Sequence, residues 1–150
     1  MSAAASFAVA VRAAMILISL GPWLLPILRA RLPLGALGVA LDAAFATTCH
    51  RLPERSLALM GVAMPVCSRC GGIYAGVVLG AIVARPKLSA RPSRIWITAA
   101  VAAMLIDVVT QDLGLRPMWH AARLASGAAF GYLLGVAVLS ALQRRASVPS

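Results

Sequence analysis

Residues 127–138 read GAAFGYLLGVAV, and residues 72–83 read GIYAGVVLGAIV. Both stretches are apolar, and both carry glycine at every fourth position: Gly127, Gly131 and Gly135 in one, Gly72, Gly76 and Gly80 in the other. In a soluble helix, repeated glycine is a liability. In lipid it is a contact face, because helices there associate by close packing rather than by burial from water. The likeness of the two stretches reads as a weak internal repeat. Together they point to an all-α integral membrane protein in which glycine-faced helices pack against one another.

The rest of the chain fits this reading. Of its 150 residues, 61% are hydrophobic and only 12% charged, about half the charge of an ordinary soluble domain. Its mean hydropathy is +0.90. A soluble fold this small exposes too large a share of its area to hide so much apolar surface, and a disordered chain needs the opposite composition. Apolar runs over Phe7–Leu28, Val66–Ala84, Ile95–Val109 and Leu124–Leu142 predict four membrane spans. The first run begins like a signal peptide, but Pro22 and Pro26 interrupt it. No small-x-small cleavage site precedes Arg29, so it reads as a retained helix kinked near the prolines. Residues 34–48 are apolar but interrupted by Gly35, Gly38 and Asp42, with Leu34, Leu37, Leu41, Phe45 and Thr48 at helical spacing. They predict an interfacial or re-entrant helix; a full span there would change the topology. The whole chain reads as one membrane domain.

Fourteen Lys and Arg against four Asp and Glu give a formal charge of +10. Basic loops of a membrane protein account for this excess. No basic cluster is interleaved with exposed aromatics, so nucleic acid is not an expected partner. The lipid bilayer is, with a membrane-protein partner or a second copy of the chain as further candidates. The positive-inside rule, applied to Arg85, Lys87, Arg91 and Arg94 and to Arg144 and Arg145, places both termini in the cytoplasm of a cell (inner) membrane.

The chemistry sits in residues 49–70. Cys67-Ser-Arg-Cys70 is followed by Gly71 and preceded, across seventeen residues, by Cys49-His50. Two thiolates three positions apart grip one ion, and three sulfurs with one imidazole complete a tetrahedral zinc site. Cys49, His50, Cys67 and Cys70 are therefore the candidate ligands, with copper(I) or an iron–sulfur cluster as alternatives for so soft a donor set. Adjacent Cys49 and His50 would make a strained chelate, so one of them is a candidate for a supporting role. Two other readings remain open: a thiol–disulfide pair at Cys67 and Cys70, with Arg69 lowering a thiol pKa, and plain buried cysteines. Haem attachment requires histidine where Gly71 stands.

Further polar residues lie on the same side of the membrane by chain parity. Asp107 is an ionisable residue near the end of a span, where charge is expensive. Gln111 follows one turn later on the same helix face. Arg55, Arg69, Asp107, Gln111, His120 and Arg123 are therefore candidates for supporting the site or lining a pathway. Asp107 is also a candidate ion pair with Arg69 or Arg123, and His120 a candidate interfacial residue beside Trp119.

The pattern Cys49-His50-x-x-Pro53-x-Arg55-Ser56, then Gly61, then Val66-Cys67-x-Arg69-Cys70-x-Gly72-Ile73-Tyr74, resembles a family of small prokaryotic multi-pass membrane proteins of unknown function. The later run Asp107-x-x-x-Gln111-x-Leu113-Gly114-x-Arg116, with Arg123 and Ser126-Gly127-x-x-x-Gly131, is similar to the same family. The resemblance covers roughly residues 45–140. It implies a multi-pass membrane protein with an important cysteine–histidine motif, and no established activity. Arg51, Val62 and His120 stand where the family pattern leads one to expect glutamine, histidine and asparagine.

These readings converge on a metal-stabilised scaffold or accessory subunit of a membrane complex, with no catalytic residue assigned. A transporter of a metal ion or small solute is the second reading, and a thiol-disulfide oxidoreductase using Cys67 and Cys70 the third. No serine–histidine–acid set, phosphate loop or HExxH motif supports a hydrolase.

Overall fold

The computed structural model describes residues 3–50, 52–83, 90–115 and 117–146. Arg51, Arg85, Lys87 and Arg116 lie outside the described residues; Arg91 and Arg94, expected in the same basic loop as Arg85 and Lys87, belong instead to the helix Ala90–Asp112. The described chain runs α1 (Ala3–Arg31), α2 (Gly35–Ala46), a 3-10 turn (Pro53–Arg55), β1 (Ser56–Leu59), β2 (Val62–Cys67), α3 (Ser68–Val83), α4 (Ala90–Asp112) and α5 (His120–Ala146).

Three helices contain stretches long and apolar enough to cross a membrane: Ser6–Arg31, Arg94–Asp112 and His120–Arg144. They coincide with three of the four runs read from hydropathy. The fourth expectation is corrected in part. The segment from Val66 begins as strand, and the helix that follows has only 16 residues, about 24 Å at 1.5 Å per residue. The all-α expectation is corrected as well, since residues 56–67 form a two-stranded antiparallel sheet.

That hairpin has a local cause. Leu59 pairs with Val62 across a two-residue loop, and both loop residues have positive φ, 54° at Met60 and 79° at Gly61. Left-handed geometry at both positions matches the natural twist of a hairpin. Gly61 adopts it without strain; Met60 does so against its preference. Pro65 lies inside β2, which is tolerated because each strand of a two-stranded sheet has a free edge.

α3 and α5 pack backbone to backbone. A Cβ added to Gly72, Gly76 or Gly80 would collide with the carbonyl oxygens of Leu124, Ala128 and Tyr132 on α5. A Cβ on Gly127 or Gly131 would collide with those of Arg69 and Ile73 on α3, and one on Gly135 would stand 3.0 Å from that of Val77. Neither helix has room for a side chain along this line. α1 packs beside the pair and contacts both helices. Arg12 donates to the carbonyl of Ile82 at 2.6 Å, occupying one of the carbonyls that a helix end leaves unpaired.

α2 is anchored by one side chain. Arg29, at the end of α1, donates to the carbonyl of Gly38 at 2.5 Å and pairs with Asp42 at 2.7 Å. At 12 residues, α2 is about 18 Å long, too short for a bilayer core of about 30 Å. Apolar contacts gather at two places. Ala81, Val136 and Leu139 are buried together near the end of α3, while Cys49, Met64 and Val66 are buried at its start, beneath Trp23, Phe45 and Tyr74.

Replacing Gly131 by valine inserts a side chain into the α3–α5 contact. The expected loss is about 1–3 kcal/mol, the usual cost of overpacking. Thermal unfolding in detergent checks this against Ala129→Val, an exposed site on the same helix, where helix propensity alone predicts a loss under about 1 kcal/mol.

Candidate metal centre

The hairpin folds the chain back between Cys49 and Cys67, which closes seventeen intervening residues into a compact loop. Cys49 follows α2, Cys67 ends β2, and Cys70 lies in the first turn of α3. Their Sγ atoms all lie within 4.8 Å of one another. Two zinc–sulfur bonds of ~2.3 Å at a tetrahedral angle separate sulfurs by about 3.8 Å, so small side-chain adjustments are enough to bring the three onto one ion. The backbone N–H of Cys67 donates to Sγ of Cys49 at 3.2 Å. All three cysteines are free thiols, and Cys49 is buried.

Cys67 ends a strand, outside the spanning helices. Its thiol pKa falls from 9.0 to about 4, chiefly through the hydrogen bond with the Cys70 side chain, with contacts to Cys49 and Arg123 adding to the effect. Thiolate is the form that binds metal and attacks electrophiles, and the lowered pKa favours that form at Cys67.

The thiols open into a cavity of about 490 Å³, whose wall also carries His50, Arg55, Arg69 and Arg123. His50 is exposed at this cavity and is not a member of the sulfur group. The arginines are placed by the helix stripes. Arg69 stands three residues before Gly72, and Arg123 four before Gly127, so each heads the contact face of its helix. From there both reach α4. Arg69 pairs with Asp107 at 2.5 Å, and Arg123 donates to Oε1 of Gln111 at 2.5 Å. Asp107 and Gln111 are one turn apart, so two adjacent side chains clip α4 onto the α3–α5 pair. Asp107 is 8% exposed and Arg123 only 3%. Arg55 makes a longer pair with Asp112 at 3.5 Å. His120 opens α5 with its Nδ1 buried and unpartnered, and it does not line the cavity.

Several contributors were not singled out as site residues by the sequence. Trp23 donates from Nε1 to the carbonyl of Gly71 at 3.3 Å and ties α1 to the turn beside Cys70. Thr48 and Tyr74 bring their hydroxyls to 3.4 Å, and the Tyr74 ring meets Phe45 edge-on at 6.0 Å. These are contacts between distant segments, which spacing within one helix does not reveal.

Three helices suited to a bilayer, with a trio of thiols and a row of arginines beside them, define a polytopic membrane protein with a soft-donor site. Over residues 49–137 the chain belongs to the family described as "Predicted membrane protein (DUF2085)". It is similar to an uncharacterized protein of Methanocaldococcus jannaschii, 33% identical over 101 residues, a match covering 64% of each chain. It is also similar to an uncharacterized protein of Methanothermobacter thermautotrophicus, 35% identical over 99 residues, covering 64% of this chain and 86% of the other. The chain thus spans a little under two thirds of the length of the first of these relatives. No solved structure matches it.

Replacing Asp107 by leucine leaves the Arg69 guanidinium buried without its carboxylate. Breaking one side of a buried pair costs about 3–5 kcal/mol. The double variant Arg69→Leu with Asp107→Leu removes both charges and should lose markedly less than the two single losses added together. Unfolding of the four proteins in detergent gives the coupling directly.

Proposed function

We propose that the chain is a metal-stabilised membrane scaffold, an accessory subunit of a membrane complex, organised around a zinc centre on Cys49, Cys67 and Cys70. The observation that carries this reading is the convergence of three thiols, from a loop, a strand end and a helix start, to within 4.8 Å. Three thiolates supply three corners of a tetrahedron, and His50 at the cavity wall is the candidate for the fourth. Copper(I) accepts the same donors. Because the ligands come from three elements, metal binding contributes directly to folding.

A structural role also fits the surroundings. Asp107 and Asp112 are tied to Arg69 and Arg55, which leaves neither placed as a general base. In this reading α3 is a fourth, short crossing, shielded from lipid along its glycine face by α5. Both termini are then cytoplasmic, and the thiols lie at the opposite face of the cell membrane. Trp96, Leu105 and Ile106 on α4 are exposed and meet lipid or the partner complex.

Elemental analysis of protein purified without chelator tests the reading. The expectation is about one zinc per chain in the wild type, lost in Cys67→Ser and Cys70→Ser, with a chelator lowering the unfolding temperature of the wild type alone. A wild type free of zinc, copper and iron, or a Cys67–Cys70 disulfide that accounts for the thiols, would contradict it.

A further inference from the structure

Two cavities meet at Thr48. One is the polar cavity of the cysteines and arginines; the other is an apolar groove of about 500 Å³ between α1 and α2, walled by residues including Leu17, Leu25, Leu41 and Phe45. Thr48 lines both, and Tyr74, whose hydroxyl faces that of Thr48, lines the groove beside it. A molecule lying along the groove therefore reaches the arginines at one end.

The polar end is rich in donors. The guanidiniums of Arg55, Arg69 and Arg123 line it beside the thiols, while Asp107 and Asp112 are already bound to Arg69 and Arg55. Arg123, more than nine-tenths buried, hydrogen-bonds to the neutral oxygen of Gln111. The Nε atoms of Arg55, Arg69 and Arg123 are all buried without a hydrogen-bond partner. Buried guanidinium donors left unfilled are costly, and their fork matches the oxygens of a phosphate group.

We infer that the polar cavity binds the phosphate head of an anionic lipid whose acyl chain lies in the apolar groove, with Thr48 at the junction. The head accepts hydrogen bonds from the guanidinium edges that line the cavity, and the acyl chain covers the apolar wall of the groove. This assignment stands on the arginines and the groove, and does not depend on a metal at the thiols.

The test uses the full chain, purified and stripped of lipid. It is given phosphatidylglycerol, phosphatidylcholine of the same acyl chains, or inorganic phosphate, and bound lipid is read by native mass spectrometry. The wild type should retain phosphatidylglycerol over phosphatidylcholine by about tenfold, the size of one charge-assisted hydrogen bond. Arg123→Gln should abolish that preference, and Arg55→Gln, at a half-exposed position that folding tolerates, should reduce it. Ala44→Trp fills the groove and should weaken lipid retention without changing any affinity for inorganic phosphate. Equal retention of the two lipids by the wild type would overturn the inference, as would a preference unchanged in Arg55→Gln. So would lipid retention indifferent to Ala44→Trp with inorganic phosphate still bound, which would assign the arginines to a soluble anion.

Discussion

Backbone lies directly on backbone where α3 meets α5, and the rest of the structure depends on that contact. Between Gly72 and Gly80 on one helix, and Gly127 and Gly135 on the other, no side chain separates the two. The contact fixes the rotation of α3 about its axis. It therefore fixes which way Arg69 points and where Cys70, one residue on, presents its thiol. Dispersion between closely packed atoms is the available attraction in lipid, where apolar surface gains nothing from leaving its surroundings. Each glycine added to the stripe brings more atoms into range.

The polar groups are arranged above this contact. Arg69 and Arg123 head the two stripes, and their guanidiniums diverge to Asp107 and Gln111, which lie one turn apart on α4. Without those two links, α4 would be held by contact with α5 and by the longer Arg55–Asp112 pair. The hairpin closes the structure from the other side. It carries Cys67 to the start of α3 and buries Met64 and Val66 against Trp23 and Phe45. Cys49 is then held between the hairpin and the cavity.

Hydropathy made three helices legible, because a long apolar run has one stable form in lipid. It did not separate strand from helix around Val66, where the run LALMGVAMPV has neither clean alternation nor helical spacing. Pro65 argued against a strand, and Met60 is an unusual residue for a left-handed turn. Pro65 is buried with Met64 and Val66 on the inner side of the hairpin, whereas Met60 is exposed at its tip and takes the geometry that the two-residue loop requires. The cysteines stood out by residue type and spacing. Their mutual approach, however, depends on a hairpin that the sequence did not announce. The shared position of Asp107 and Gln111 on one helix face was readable from their spacing. Which arginine met each of them was settled by the rotation of α3 and α5.

In the proposed site, three thiols from separate elements share one coordination sphere above the glycine contact. X-ray absorption at the zinc edge of the loaded protein tests this most directly. Three sulfur neighbours at ~2.3 Å are the predicted result. A shell made only of oxygen and nitrogen, or one holding the sulfurs of Cys67 and Cys70 without that of Cys49, would contradict it.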